Sequence, residues 1–335
     1  MKTFAAINVG SYEQSLKIYT ITKNSGIREV DWIRNRLDLG GTFATGKLSH
    51  EVMDELCAVL RNFVSIMEGY RVDDYRACAT SAIRETKNTA IVLDQIMQRT
   101  GVKLDVLSNS EQRFLDYKSI ASRGGFEKII EKGTLVLDIG GGSIQISLFD
   151  KDRLVASQNM KIGNLRLRER MMNEGVSLKH YETLLTEVVK NEFLSYKKLY
   201  LKDRVISNLI VVGDHIGDAV HKNVMTRADF LNFYDDMIYR SDEDAAGRCE
   251  VPEDVISVLR PSLVVYRCFL EAADVENIWM PGLHLTDGMA YEYAQQNRLL
   301  KLGHDFDEDI LAAARNAAKR YQCSKSHIKV CEDLA

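Results

Sequence analysis

The run TLVLDIGGGSIQISLFD at positions 134–150 decides the fold. Its first six residues are apolar around a single acid, Asp138, and predict a buried strand over 134–139. Gly140, Gly141, Gly142 and Ser143 form a tight turn, and the alternation over 144–149 predicts a returning strand. Three glycines are more than a hairpin requires. Glycine lets backbone N–H groups approach an anion and serine adds a donor, so the turn reads as a phosphate loop. An acid inside an apolar strand is costly unless it is paired or associated with a metal, which marks Asp138 as functional.

The same unit occurs about 130 residues earlier. Residues 4–9 are apolar and small, Gly10 and Ser11 make the turn, and 16–21 return. This is an internal duplication of strand–Gly–Ser–strand. Residues 209–212 followed by Gly213 and Gly217 make a third strand end with glycines, and 277–280 followed by Gly282 and Gly288 a fourth. Four such ends suit a ligand held at the carboxyl ends of strands in an α/β fold. Between the loops, apolar spacing predicts helices over 50–67, capped by Ser49, over 91–100 and over 111–121, with strands over 75–80 and 102–107. Residues 307–321 read as a helix and 325–335 as the opening turns of another, which predicts a longer natural protein continuing into a helical region.

The chain has 335 residues with 45% hydrophobic content, more than one core usually organises, so two domains are expected. The formal net charge is −4 and no Lys/Arg run stands out, which gives no support to nucleic acid or a membrane surface as partner. No apolar run approaches a membrane span, and the first residues lack a signal-peptide layout. Cys57, Cys78, Cys249, Cys268, Cys323 and Cys331 are scattered with no CxxC pair, and read as reduced thiols of a cytoplasmic protein.

Taken together, these segments resemble the exopolyphosphatase/guanosine pentaphosphate phosphohydrolase family. LDIGGGSIQISLFD is similar to the family's second phosphate loop, which reads close to VDIGGGSTEL, and FAAINVGSYEQSLKIYTI resembles its opening IDLGSNS loop. ATSAIRETKN over 79–88 matches TSALREAKN almost residue for residue, and LSNSEQRFLDY over 107–117 lies where the family has ISGxEEARLIY. Further segments resembling the family's LPIGAVRLTE, third glycine loop and GLREGLL follow in order. The resemblance implies two ribonuclease-H-like, actin-like ATPase domains with the substrate in the cleft between them. The expected division is domain I over 1–124, domain II over 125–298 and a helical segment over 299–335 leading toward a C-terminal domain. It further implies that Gly10, Ser11, Thr80, Ser81, Asn88, Gly140, Gly141, Gly142 and Ser143 surround a phosphate chain. By the same resemblance Arg84 binds phosphate oxygens as a guanidinium fork and Asp138 holds Mg2+.

Three acids of the family pattern are amides here. Asn8 stands for the first-loop Asp, Gln145 for the Glu after the second loop, and Gln112 for the proposed general base. Each replacement keeps the shape and removes the charge, so Mg2+ binding is expected to be weakened or lost and hydrolysis slowed. Glu111 is adjacent and is the candidate stand-in base, although neighbours on a helix point about 100° apart. Gly213-Asp-His-Ile-Gly217 departs from the family's GTGGT pattern. Two readings result: weak hydrolysis of the terminal phosphoanhydride of polyphosphate or guanosine pentaphosphate, or a catalytically impaired regulatory protein that binds those compounds. A sugar-kinase-like phosphotransferase fits less well, because residues 79–88 match the phosphatase family. A homodimer is left open. Asn8, Gln112 and Gln145 are expected to meet at the cleft.

Overall fold

A computed structural model describes residues 1–173, 178–202, 204–213, 215–300 and 303–334. The chain forms two mixed sheets. The first contains β1 (Lys2–Val9), β2 (Glu13–Thr22), β3 (Gly26–Arg36), β4 (Asp74–Ala79) and β5 (Leu104–Val106) in the order β3-β2-β1-β4-β5. The second contains β6 (Thr134–Ile139), β7 (Ile144–Asp150), β8 (Arg153–Met160), β9 (Asn208–Val212), β10 (Val224–Thr226) and β11 (Asn277–Trp279) in the order β10-β11-β9-β6-β7-β8. In each, an antiparallel three-strand meander leads into parallel strands, so the duplication read from two hairpins extends over a whole sheet.

β3 and β8 were not anticipated. β3 lies at the edge of its sheet and is mostly exposed or half-buried, so it lacks the apolar alternation that marks a strand. β6 is buried at every position, as its continuous apolar run requires.

The helix His50–Gly69 begins at Ser49, whose side chain accepts the Val52 N–H, and buries Leu56, Leu60 and Phe63 against one face of the first sheet. The other face is covered by Asn109–Ala121 and by Leu285–Gln296. The latter comes from a segment far along the chain, yet it places Met289 and Ala290 on Phe4 and Ala6 of β1. A Cβ on Gly288 would lie 1.9 Å from the Leu115 carbonyl oxygen. Gly288 therefore lets these two central helices touch and is not the strand-end glycine expected. Gly217 likewise sits inside the short helix Ile216–Val220.

The helix Phe306–Arg320 packs on β8, where buried Asp309 accepts the Leu154 N–H and pairs with His304 at 2.7 Å. All six cysteines are unpaired, and four of them are buried. No helix among the described residues is long and apolar enough to cross a membrane.

Candidate functional site

The two glycine–serine turns face each other between the sheets. Each is closed by the same backbone bond: Gly10 N–H to Glu13 O and Gly140 N–H to Ser143 O, both 3.0 Å. Thr80 and Ser81 follow the end of β4 and complete the rim, with Ser11 Oγ and Ser81 Oγ 2.9 Å apart. Together with Asn8, Gln112, Asp138, Gly141, Ser143 and further residues they line a cavity of about 110 Å3.

Asp138 sits at its floor, buried, at the end of β6. Gln112 Nε2 donates to its Oδ2 at 2.7 Å and Gln145 Nε2 donates to the same oxygen at 3.3 Å. Asn8 occupies the matching position on β1, and its Oδ1 is buried with no partner. Two of the three amides expected at this cleft, Gln112 and Gln145, therefore close on Asp138, while Asn8 lines the same cavity.

Asp116 was not foreseen. It lies one helical turn after Gln112, on the same face, fully buried and lining the cavity. It stands where the family run quoted above has isoleucine. Burial first, then the charge of neighbouring Asp138, hold its carboxyl well above the usual carboxylate range. The i,i+4 spacing from Gln112 was visible in the sequence, but the burial that makes this acid unusual was not.

These residues do not fit a Mg2+ cradle. A hard cation needs several anionic or carbonyl oxygens turned toward it. Here Asp138 receives two amide N–H groups, burial raises the pKa of Asp116, and among the described residues no cluster of three or more acidic, His or Cys side chains could hold a metal.

Arg84 stands behind Gln112. Its Nη1 donates to the Leu107 carbonyl at 2.8 Å and to Gln112 Oε1 at 3.3 Å. Desolvation lowers its pKa from the ordinary value, and Arg84, expected at the phosphate chain, is not among the residues that line the cavity.

Other expected residues lie elsewhere. Glu111 is exposed and turned back, accepting the Ser108 N–H at 2.8 Å in a capping box, so it does not face the cavity. Asn88 bonds both the N–H and the carbonyl of Leu48 at 3.2 Å and holds that loop in place. Gly142 is filled from the first sheet's side: a Cβ there would lie 2.6 Å from the Phe43 ring and 2.8 Å from Ser81 Oγ. Of the third glycine loop, Gly213 and His215 line the cavity, while Asp214 lies outside the described residues.

The mouth is bridged by ion pairs. Arg34 meets Asp218 at 2.9 Å, Arg36 meets Asp254 at 2.9 Å, and Tyr12 donates to Asp254 at 2.8 Å. Arg166 also pairs with Glu85 and Arg168 with Asp38. Burial first, then the Lys17 cation, push the His284 imidazole down to about 4, so this wall residue is neutral at neutral pH.

Comparison with known proteins agrees with this geometry. A model of the Ppx/GppA phosphatase family matches residues 23–297. A guanosine-5'-triphosphate,3'-diphosphate pyrophosphatase of Photobacterium profundum is 22% identical over 99% of this chain and 66% of its own length. An exopolyphosphatase 1 of Mycobacterium leprae is 32% identical over 32% of this chain and 30% of its own. The chain thus matches less than two thirds of the length of these relatives. Among solved structures, an exopolyphosphatase from Cytophaga hutchinsonii superposes with a TM-score of 0.77 at 16% identity, covering 89% of this chain and 98% of that one. The Ppx/GppA family member of Aquifex aeolicus gives 0.71 at 19% identity, covering 88% and 98%. The architecture is that of these structures, the two-domain actin-like ATPase fold expected from the sequence.

Proposed function

Since the chain belongs to the Ppx/GppA phosphatase family, we propose that its cleft holds the phosphate chain of polyphosphate or of a guanosine polyphosphate and that hydrolysis there is very slow. One observation carries the reading: the amides of Gln112 and Gln145 close on Asp138, while Glu111 is spent on the Ser108 cap.

In this reading the Gly140–Ser143 turn offers backbone N–H groups to phosphate oxygens, and Ser11, Thr80 and Ser81 add hydroxyls. Arg84 supplies charge from behind Gln112. An amide cannot take a proton from attacking water, and loss of a general base costs on the order of 10^2–10^4 in rate. A local source of residual turnover is Asp138, which lines the cleft with Asp116 beside it.

Calorimetry with tripolyphosphate and guanosine pentaphosphate, run beside malachite-green phosphate release with Mg2+ and with Mn2+, tests this. Binding without appreciable release is the expected result. Robust Mg2+-dependent release would make the protein an ordinary hydrolase, and absence of binding would remove the cleft from consideration.

A further inference from the structure

The three glycine carbonyls of the second turn are all held, and by one segment. Asn164 N–H donates to the Gly140 carbonyl at 3.0 Å, Leu165 N–H to that of Gly141 at 3.1 Å, and Arg166 N–H to the same oxygen at 3.3 Å. The Gly142 carbonyl accepts from Arg166 Nε at 2.7 Å. These donors open the helix Asn164–Asn173, where leading N–H groups have no partner within the helix itself. The approach is close: a Cβ on Gly163 would lie 2.2 Å from Gly141 O and 2.4 Å from Ser143 N. A trans peptide is planar, so the N–H after each carbonyl points the opposite way. Holding the carbonyls toward the helix therefore turns the N–H groups of Gly141, Gly142 and Ser143 away from it.

Most of these bonds come from the backbone and would form whatever side chains stood there. The hold on Gly142 depends on the side chain of Arg166 alone. That side chain also reaches the unit built on the first sheet. Its Nη2 donates to Glu85, and its guanidinium lies 4.2 Å from the centre of the Phe43 ring. Glu85 ends the short helix Ser81–Arg84, which carries the rim serine, and Phe43 is the ring that a Cβ on Gly142 would meet. One guanidinium thus ties the second turn to the Ser81 segment. A rigid planar fork can serve the Gly142 carbonyl and the Glu85 carboxylate at once, and a lysine ammonium has no such fixed geometry.

We infer that Arg166 is a positioning residue of the phosphate cleft: it fixes the Gly142 carbonyl, and through it the N–H groups an anion meets, with Glu85 steadying its outer end. The inference rests on the phosphate-cleft reading above. Arg166 is not among the residues that line the cavity, so it acts through the turn and not by touching the anion.

Glycine-15N spectra of the protein, free and titrated with tripolyphosphate, test this beside calorimetry. In the parent, tripolyphosphate should move the Gly141 and Gly142 resonances. Arg166→Gln should displace both already in the free protein and weaken tripolyphosphate by about tenfold or more, the scale of losing a hydrogen bond to a charged group. Glu85→Gln leaves the Gly142 bond in place, so it should keep the free-state resonances and weaken binding only about twofold. Arg166→Lys keeps the charge without the fork and should behave as Arg166→Gln does, which separates position from electrostatics. Should Arg166→Gln fail to fold, Arg166→Lys carries the test. Undisplaced glycine resonances in the Arg166 variants, or parental affinity in Arg166→Lys, would overturn the positioning role and leave the phosphate cleft standing. An equal loss of affinity from Glu85→Gln would reduce Arg166 to a tie between the two units and overturn it as well. If the parent binds no tripolyphosphate, the phosphate-cleft reading itself fails, and this inference with it.

Discussion

The two glycine–serine hairpins are built alike and charged differently. Asn8 pairs with Ser15 across β1 and β2, and Asp138 pairs with Gln145 across β6 and β7. The turns close through equivalent backbone bonds. Yet the first hairpin ends in an amide and the second in an acid. The backbone framework of a phosphate site thus persists independently of its charges, because strand pairing and glycine turns hold the loops whatever sits at the strand end. A second contrast concerns glycine. Gly10 is demanded by its own turn, where a Cβ would lie 2.6 Å from Glu13 O. Gly141 and Gly142 are demanded by neighbours, Leu165 and Ser11 for one and Phe43 and Ser81 for the other.

The largest expected effect removes the contrast in charge. Asn8→Asp, Gln112→Glu and Gln145→Glu together should raise phosphate release by roughly 10^2 or more, the scale of restoring a general base. Each change alone should do little, because the roles are interdependent. The triple variant's melting temperature should also rise with added Mg2+, since three new carboxylates beside Asp138 repel one another until a cation joins them. An unresponsive melting temperature and unchanged release would show that the amides are not what separates this cleft from an active one.

The contrast in glycine comes next. Gly142→Ala drives a methyl into Phe43 and Ser81 and should cost about 1–3 kcal/mol, as overpacking does. Gly140→Ala, whose Cβ would meet only Ser143 O at 3.5 Å, should cost much less. Denaturant melts of the two variants decide it, and equal losses would mean that Gly142 serves its own loop and not the contact across the cleft.

The sequence made the two hairpins and the helix after Ser49 legible, because turn chemistry, capping and strand alternation are local. It misled where burial depends on distant segments. Gly288 looked like a loop glycine and proved to be a helix crossing with Leu115. Asn88, read as a phosphate ligand, braces the Leu48 loop. Asp116 could not be weighed at all until β6 was seen beside its helix, and the exposed edge β3 left no periodic trace.

Asp116 gives a smaller, pH-dependent effect. Its folded pKa is raised, so the folded state holds a proton that the unfolded chain releases above about pH 4. Its contribution to stability is therefore full below that pH and declines as pH rises toward the folded value. Asp116→Asn keeps the shape and cannot ionise, so it should lose less stability than the parent between pH 4 and neutrality. Parallel pH profiles for the two proteins would show that Asp116 ionises freely in the fold.

The smallest effect concerns Glu111, neighbour of Gln112 and its foil. The two residues are adjacent in sequence but lead opposite lives: Gln112 reaches Asp138, and Glu111 closes a capping box at the helix start. The Ser108 backbone N–H lowers the Glu111 pKa, which makes it a poorer base as well as a misdirected one. Because the folded value is depressed, what the carboxylate contributes to stability is present above the unfolded value of about 4.3 and fades as pH falls through the folded one. Glu111→Gln retains an acceptor for the Ser108 N–H and gives up only the charge at the helix N-terminus, so it should cost no more than about 0.5 kcal/mol. Residual phosphate release should be unchanged. A fall of a hundredfold in that release, with the melting temperature held, would reverse the assignment. Glu111 would then swing out of its cap to serve as the base, and the neutralised cleft would have to be read as a working one.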